Sequence, residues 1–124
     1  MKLVDEIKRP KYDSVPEFSM VRKENPTSHK FKCQKCDWTL EIDFQRQINY
    51  SWTGKTERIH QAELEELKTF YSIGLSSKSH DGGLPIFDKI NCSECGTEYI
   101  TYCGVNEYAN SAFNVYVHGI LRPE

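Results

Sequence analysis

The chain has 124 residues, 38% of them hydrophobic and 12% aromatic, which is enough for one small domain and too apolar for a disordered segment. No stretch approaches the roughly 18 consecutive apolar residues of a membrane-spanning helix, and the N-terminal MKLVDEIKRP lacks the apolar centre of a secretory signal. The formal net charge of -2 is uneven: residues 1–35 sum to +4 and residues 36–124 to −6, the opposite of the basic face that displaces phosphate counterions in nucleic-acid binders.

These features predict a cytoplasmic protein, with nucleic acid disfavoured as a partner. Disulfides rarely persist in that reducing compartment, so paired cysteines read as metal ligands or redox groups.

In chain order, residues 1–29 contain Pro10, Pro16 and Pro26, which leave no room for a long helix. Val4, Ile7, Tyr12 and Phe18 stand isolated among charged residues. The pattern predicts an extended N-terminal arm over 1–29, with a short helical turn near Val4–Lys8. The arm either lies as a strap across a single domain of residues 30–124 or reaches for a partner.

Residues 38–44, WTLEIDF, place Trp38, Leu40, Ile42 and Phe44 on one face and Thr39, Glu41 and Asp43 on the other, the period of a half-buried strand. A second strand is predicted through Gln47–Thr53, where Ile48, Tyr50 and Trp52 alternate. Residues 59–72 predict the principal helix. Leu64, Leu67 and Tyr71 recur at helical spacing, and Glu63, Glu65, Glu66 and Lys68 lie outward. Gly74 is the expected stop. After a polar loop over 76–83 come Leu84–Ile90, the second cysteine pair and a predicted strand through Thr97–Cys103, and the polar run Asn106–Ser111 leads to the last predicted strand, Ala112–Leu121. In the last strand Phe113, Val115, Val117, Gly119 and Leu121 share one predicted face, and Tyr116, His118 and Ile120 the other.

The most specific signal is a pair of C-x-x-C motifs, Cys33-Gln-Lys-Cys36 and Cys92-Ser-Glu-Cys95. Two such turns supply four thiolates, a complete tetrahedral shell for zinc with no position left for water. Each pair follows a Lys-apolar-x lead and precedes a β-rich run. Gly96 follows the second pair where a positive φ is needed, and Asp37, a residue tolerant of that region, follows the first. A thioredoxin-type pair requires a helix after its cysteines, whereas strands follow both pairs here. The 55 residues between Cys36 and Cys92 exceed what a bare ribbon needs, so the insertion must be structured. The predicted fold class is therefore α+β: a small antiparallel sheet, one principal helix and an embedded zinc ribbon holding one structural Zn.

Other signals carry less. Cys103 reads as a small buried hydrophobe. Gly54-Lys55-Thr56 lacks the earlier glycine of a phosphate loop, since Asn49 holds that place, and reads as a turn before the helix. His80-Asp81-Gly82-Gly83 reads as a polar loop. Trp38 is expected in the core, and stacking of strand aromatics on bases is not favoured.

Cys92-Ser-Glu-Cys95-Gly96, the aromatic strand Tyr99–Tyr102 and Tyr116-Val-His-Gly119-Ile120 together resemble small bacterial split zinc-ribbon proteins of the immunity-protein type. The final tail has one spacer fewer than that pattern. The resemblance covers the last third of the chain and the first knuckle. It implies a non-catalytic protein that neutralises a cognate toxin. Charge complementarity then points to a basic toxin domain, with Glu63, Glu65 and Glu66 as contacts. The alternative is a zinc-ribbon nucleic-acid-binding or transcription-accessory protein, gripping phosphates with Lys30, Lys32 and Lys35. No enzymatic activity is expected.

Overall fold

The computed structural model describes residues 3–7, 18–19, 28–53, 58–73, 78–79, 83–109 and 112–123. The elements are β1 (Leu3–Ile7), β2 (Phe18–Ser19), β3 (Ser28–Lys32), β4 (Thr39–Asp43), α1 (Phe44–Thr53), α2 (Gln61–Phe70), β5 (Leu84–Asn91), β6 (Glu98–Ala109) and β7 (Ala112–Pro123). The class is mixed α+β, with two ten-residue helices among the described residues where one principal helix was expected. The antiparallel main sheet runs β1-β7-β6-β5, and β2 also pairs with β7. A separate two-stranded hairpin joins β3 and β4. The helical turn expected near Val4–Lys8 is instead strand β1, paired with the last strand.

β4 keeps the predicted alternation, with Leu40 and Ile42 buried and Thr39, Glu41 and Asp43 exposed. Trp38 does not join it and is 48% exposed, a correction to the expected core face. Its carbonyl accepts the Cys33 N–H at 2.8 Å, so its backbone belongs to the preceding turn and the strand period does not extend back to it.

The second predicted strand, Gln47–Thr53, is helix α1. Phe44, Gln47 and Ile48 are its buried residues, at i, i+3 and i+4, and Trp52 is 62% exposed. The Asp43 carboxylate accepts the Gln45 N–H at 3.1 Å and starts the helix. Bonds one turn apart reinforce it: Gln45 to Asn49 at 3.0 Å and Arg46 Nε to the Tyr50 hydroxyl at 2.9 Å. Ile48, Tyr50 and Trp52 also alternate, but burial falls away along that set, from buried Ile48 through half-buried Tyr50 to exposed Trp52.

α2 forms where predicted. Its N-terminus is closed by Glu63, whose carboxylate accepts the His60 N–H at 3.1 Å. Its C-terminus is a Schellman motif. Ile73 N–H bonds the Lys68 carbonyl at 2.8 Å, Ser72 N–H bonds Thr69 at 3.1 Å, and Ser72 has φ 58°. The chain therefore leaves the helix at Ser72. Gly74, the GKT segment and His80-Asp81-Gly82 lie outside the described residues. No described helix is long and apolar enough to cross a membrane.

The main sheet separates two apolar clusters. On one face Tyr99, Cys103, Val105, Val115, Val117 and Ile120 meet Phe31, Leu40, Ile42, Phe44 and Ile48. On the other, Phe87, Ile100, Tyr102 and Leu121 meet Leu67, Tyr71 and Ile73 of the α2 segment. β6 alternates cleanly between the two and continues through Asn106, which was expected to be loop. β7 does not alternate cleanly. Tyr102 pairs with Gly119 but Cys103 pairs with Val117, so His118 is an extra residue, a β-bulge. Up to Val117 the odd positions face the first cluster. Beyond the bulge Ile120 does so, and Gly119 and Leu121 turn to the second. The predicted single face Phe113–Leu121 is thus split at His118.

Gly119 lies against the ring of buried Tyr71. A methyl built on Gly119 would come within 2.8 Å of Tyr71 Cζ and 3.0 Å of Cε1. Tyr71 also packs on Tyr102, with ring centroids 4.4 Å apart, so it has little room to yield. Gly119→Ala should destabilise the fold by about 1–3 kcal/mol in urea unfolding. An unchanged midpoint would show that Tyr71 shifts without cost.

Candidate metal centre

The β3–β4 and β5–β6 hairpins end in turns built alike. In the first, Cys33 N–H bonds the Trp38 carbonyl at 2.8 Å and Asp37 N–H bonds the Cys33 carbonyl at 2.9 Å. In the second, Cys92 N–H bonds Thr97 at 2.8 Å and Gly96 N–H bonds Cys92 at 2.9 Å. Asp37 has φ 64° and Gly96 φ 76°, the left-handed positions expected from the sequence. Nothing lies within 4 Å of a methyl built on Gly96, so backbone conformation and not space favours glycine there.

Each turn folds its two cysteines toward the other turn. The Sγ atoms of Cys33, Cys36, Cys92 and Cys95 all lie within 4.8 Å of one another. The Cys33–Cys95 separation is 3.6 Å and the Cys36–Cys92 separation 3.4 Å. Disulfide sulfurs would be about 2.05 Å apart. A tetrahedron with metal–sulfur bonds of about 2.3 Å has edges of about 3.8 Å, so the observed spacing suits four thiolates around one ion. Cys33 and Cys92 are buried, whereas Cys36 and Cys95 are exposed. Cys103, the fifth cysteine, is fully buried away from the cluster, in the apolar role expected of it.

The local electrostatics favour a bound cation. Burial pushes the Cys33 thiol up, but hydrogen bonds from the Tyr99 hydroxyl, the Lys35 and Cys36 N–H groups and the Cys95 thiol bring it down to about 6. Cys95 is lowered too, chiefly by the Thr97 hydroxyl and N–H. For Cys36 the Trp38 N–H works downward, but desolvation and the three neighbouring thiols outweigh it and raise it to about 12. Four thiols this close cannot all ionise beside one another without a positive charge among them. A soft divalent ion would supply that charge, and binding it would expel the remaining protons.

Tyr99 was missed as part of this site. Its hydroxyl donates to Cys33 Sγ at 3.2 Å and accepts the Gln34 N–H at 2.8 Å, while its ring packs edge-on against Phe31. Its position four residues after Cys95, facing inward on the strand that follows the knuckle, was the available signal.

None of the other residues singled out from sequence adds a side chain to the sulfur cluster, although the Lys35 N–H reaches Cys33 Sγ at 3.4 Å. Glu65 and Glu66 are exposed on α2. Glu63 is engaged: besides closing the helix it meets Lys89 Nζ at 2.7 Å, and Lys89 also reaches Glu98 at 3.2 Å. Lys30, Lys32 and Lys35 are exposed along β3 and the first knuckle, with Lys32 3.6 Å from Asp37. No family model, curated protein or solved structure matches the chain.

Two expectations follow. Tyr99→Phe removes one donor to a ligand sulfur while keeping the ring. It should weaken metal affinity about 10-fold or more in competition with a chromophoric chelator; unchanged affinity would confine Tyr99 to packing. Separately, burial raises the Glu63 carboxyl, but Lys89 and the His60 N–H hold it below its usual 4.5. Its contribution to stability is fully present above that value and is lost as pH falls through the lowered one. Glu63→Gln should therefore flatten the acid limb of the pH–stability curve, and an unaltered limb would mean that the pair is energetically silent.

Proposed function

We propose that the protein is a non-catalytic binding protein whose two hairpins are locked as a zinc ribbon by one structural zinc ion. The observation that carries this reading is the four-sulfur cluster with near-tetrahedral spacing. Zinc is the usual ion for four thiolates in that geometry, and a shell of four protein ligands leaves no position for substrate or water. The ion's role is then to contribute folding free energy.

The partner we propose is a basic protein, concretely a bacterial toxin domain that this chain neutralises. Support comes from the −6 charge of residues 36–124, from the exposed Glu65 and Glu66, and from the immunity-type tail motif. Acidic surface facing a basic cleft accelerates association and blocks access to it.

One observation favours a second reading. Trp38 is half exposed at the first knuckle, next to exposed Lys32 and Lys35. An aromatic face flanked by lysines is what stacks a base and holds its phosphates.

Purified protein should contain about one zinc per chain, and chelation should unfold it, as should Cys33→Ser. A metal-free preparation with an unchanged melting temperature would defeat the structural role. For the partner, the intact protein should show no appreciable affinity for single-stranded DNA or RNA at near-physiological salt. Submicromolar, steeply salt-dependent binding lost in Lys30/Lys32/Lys35→Ala or Trp38→Ala would replace the first reading with the second.

A further inference from the structure

The first face of the main sheet contains a polar interruption unrelated to the sulfur cluster. Asp88 of β5 and Thr101 of β6 are register partners on that face, each 1% exposed. Gln47 of α1, also 1% exposed, lies over them. Asp88 is held from several sides: Arg46 Nε reaches Oδ2 at 3.0 Å, Arg46 Nη2 reaches Oδ1 at 3.1 Å, and the Lys89 N–H reaches Oδ1 at 2.9 Å. Gln47 Nε2 points at Oδ2 from 3.4 Å, which fixes the amide with its oxygen turned away from the carboxylate.

Two buried oxygens are left over. Gln47 Oε1 and Thr101 Oγ1 have no hydrogen-bond partner. Both residues line a small cavity of about 30 Å³, together with Asp88, Arg46, Ile42 and Ile90. On this measure a water needs at least about 10–15 Å³, so the space admits one. Buried polar atoms almost always find a partner, and here two orphans and a space large enough for a water coincide.

We propose that this cavity is a binding site for one ordered water molecule. The water donates to Gln47 Oε1, accepts from the Thr101 hydroxyl and directs its second hydrogen to the Asp88 carboxylate. Three partners is the usual number for a buried water. The ligand must be a donor, because Gln47 Oε1 and Asp88 offer only lone pairs. A metal cation is disfavoured, since Arg46 already neutralises Asp88 and lines the same space. An anion would face Asp88 and, at the cavity wall, Glu41 and Asp43. The water bonds α1 to two strands of the main sheet at once, adding to the Arg46–Asp88 and Gln47–Asp88 contacts.

The test is a crystal structure of the zinc-loaded full chain at a resolution that shows ordered solvent. A second, independent readout is cross-relaxation in solution between a long-lived water and protons of Thr101. One isolated peak within hydrogen-bond distance of Gln47 Oε1 and Thr101 Oγ1, with the matching slow-exchange signal, is expected. Gln47→Met, which fills the space with an apolar chain, should abolish both. A direct Gln47–Thr101 hydrogen bond across a collapsed, empty cavity would overturn the proposal. So would a peak whose height rises when sodium is replaced by rubidium, which would make the occupant a cation.

Discussion

The meeting of four sulfurs from two distant turns is the constraint on which the rest of this structure depends. Fifty-five residues separate Cys36 from Cys92, and closing a loop of that length costs chain entropy that neither turn can offset alone. Once the turns meet, the β3–β4 hairpin has a fixed position against the first face of the main sheet. Phe31, Leu40 and Ile42 then pack on Tyr99 and Ile120, and α1, which follows β4 without a break, is delivered onto the same face. The four-sulfur geometry and the larger apolar cluster are two ends of one device. Tyr99 joins them physically, its ring in the cluster and its hydroxyl on Cys33.

The second cluster is organised differently. Its centre is a stack of rings, Tyr71 on Tyr102 and Phe87, with Gly119 providing the space. α2 is tied to the sheet at its other end by the Glu63–Lys89 pair. No sulfur chemistry enters here, so this half depends on shape. The His118 bulge connects the halves, because it sends Leu121 to the ring stack and Ile120 to the other side.

The sulfur site was legible in the sequence because its determinants are local: two cysteines per turn, then a residue suited to positive φ. β4 and α2 were legible for the same reason, each having a period that burial enforces. α1 was not, because Ile48, Tyr50 and Trp52 alternate as a strand would, while the helical contacts of Phe44, Gln47 and Ile48 only become meaningful against a sheet formed by later residues. Trp38 was misplaced by extending a period one step too far, into the knuckle. The faces of β7 were misassigned because a bulge is set by pairing with β6 and leaves no mark in its own alternation. The Arg46–Asp88 pair spans 42 residues and has no local signature at all. The proposed partner likewise depends on surfaces whose meaning lies in a second molecule.

β5 ends the described sheet, with β6 on one side only. An open strand edge invites edge-to-edge aggregation with another chain. Pro85 removes one donor from β5, and the buried Asp88 makes its inner face unsuited to an apolar intruder. Arg58 covers part of the edge directly, its guanidinium donating to the Lys89 carbonyl at 3.1 Å. Among the described residues Pro85, Asp88 and Arg58, none of them part of the sulfur site, thus guard this edge, and Arg58 is the one guard that a single rotamer change can lift.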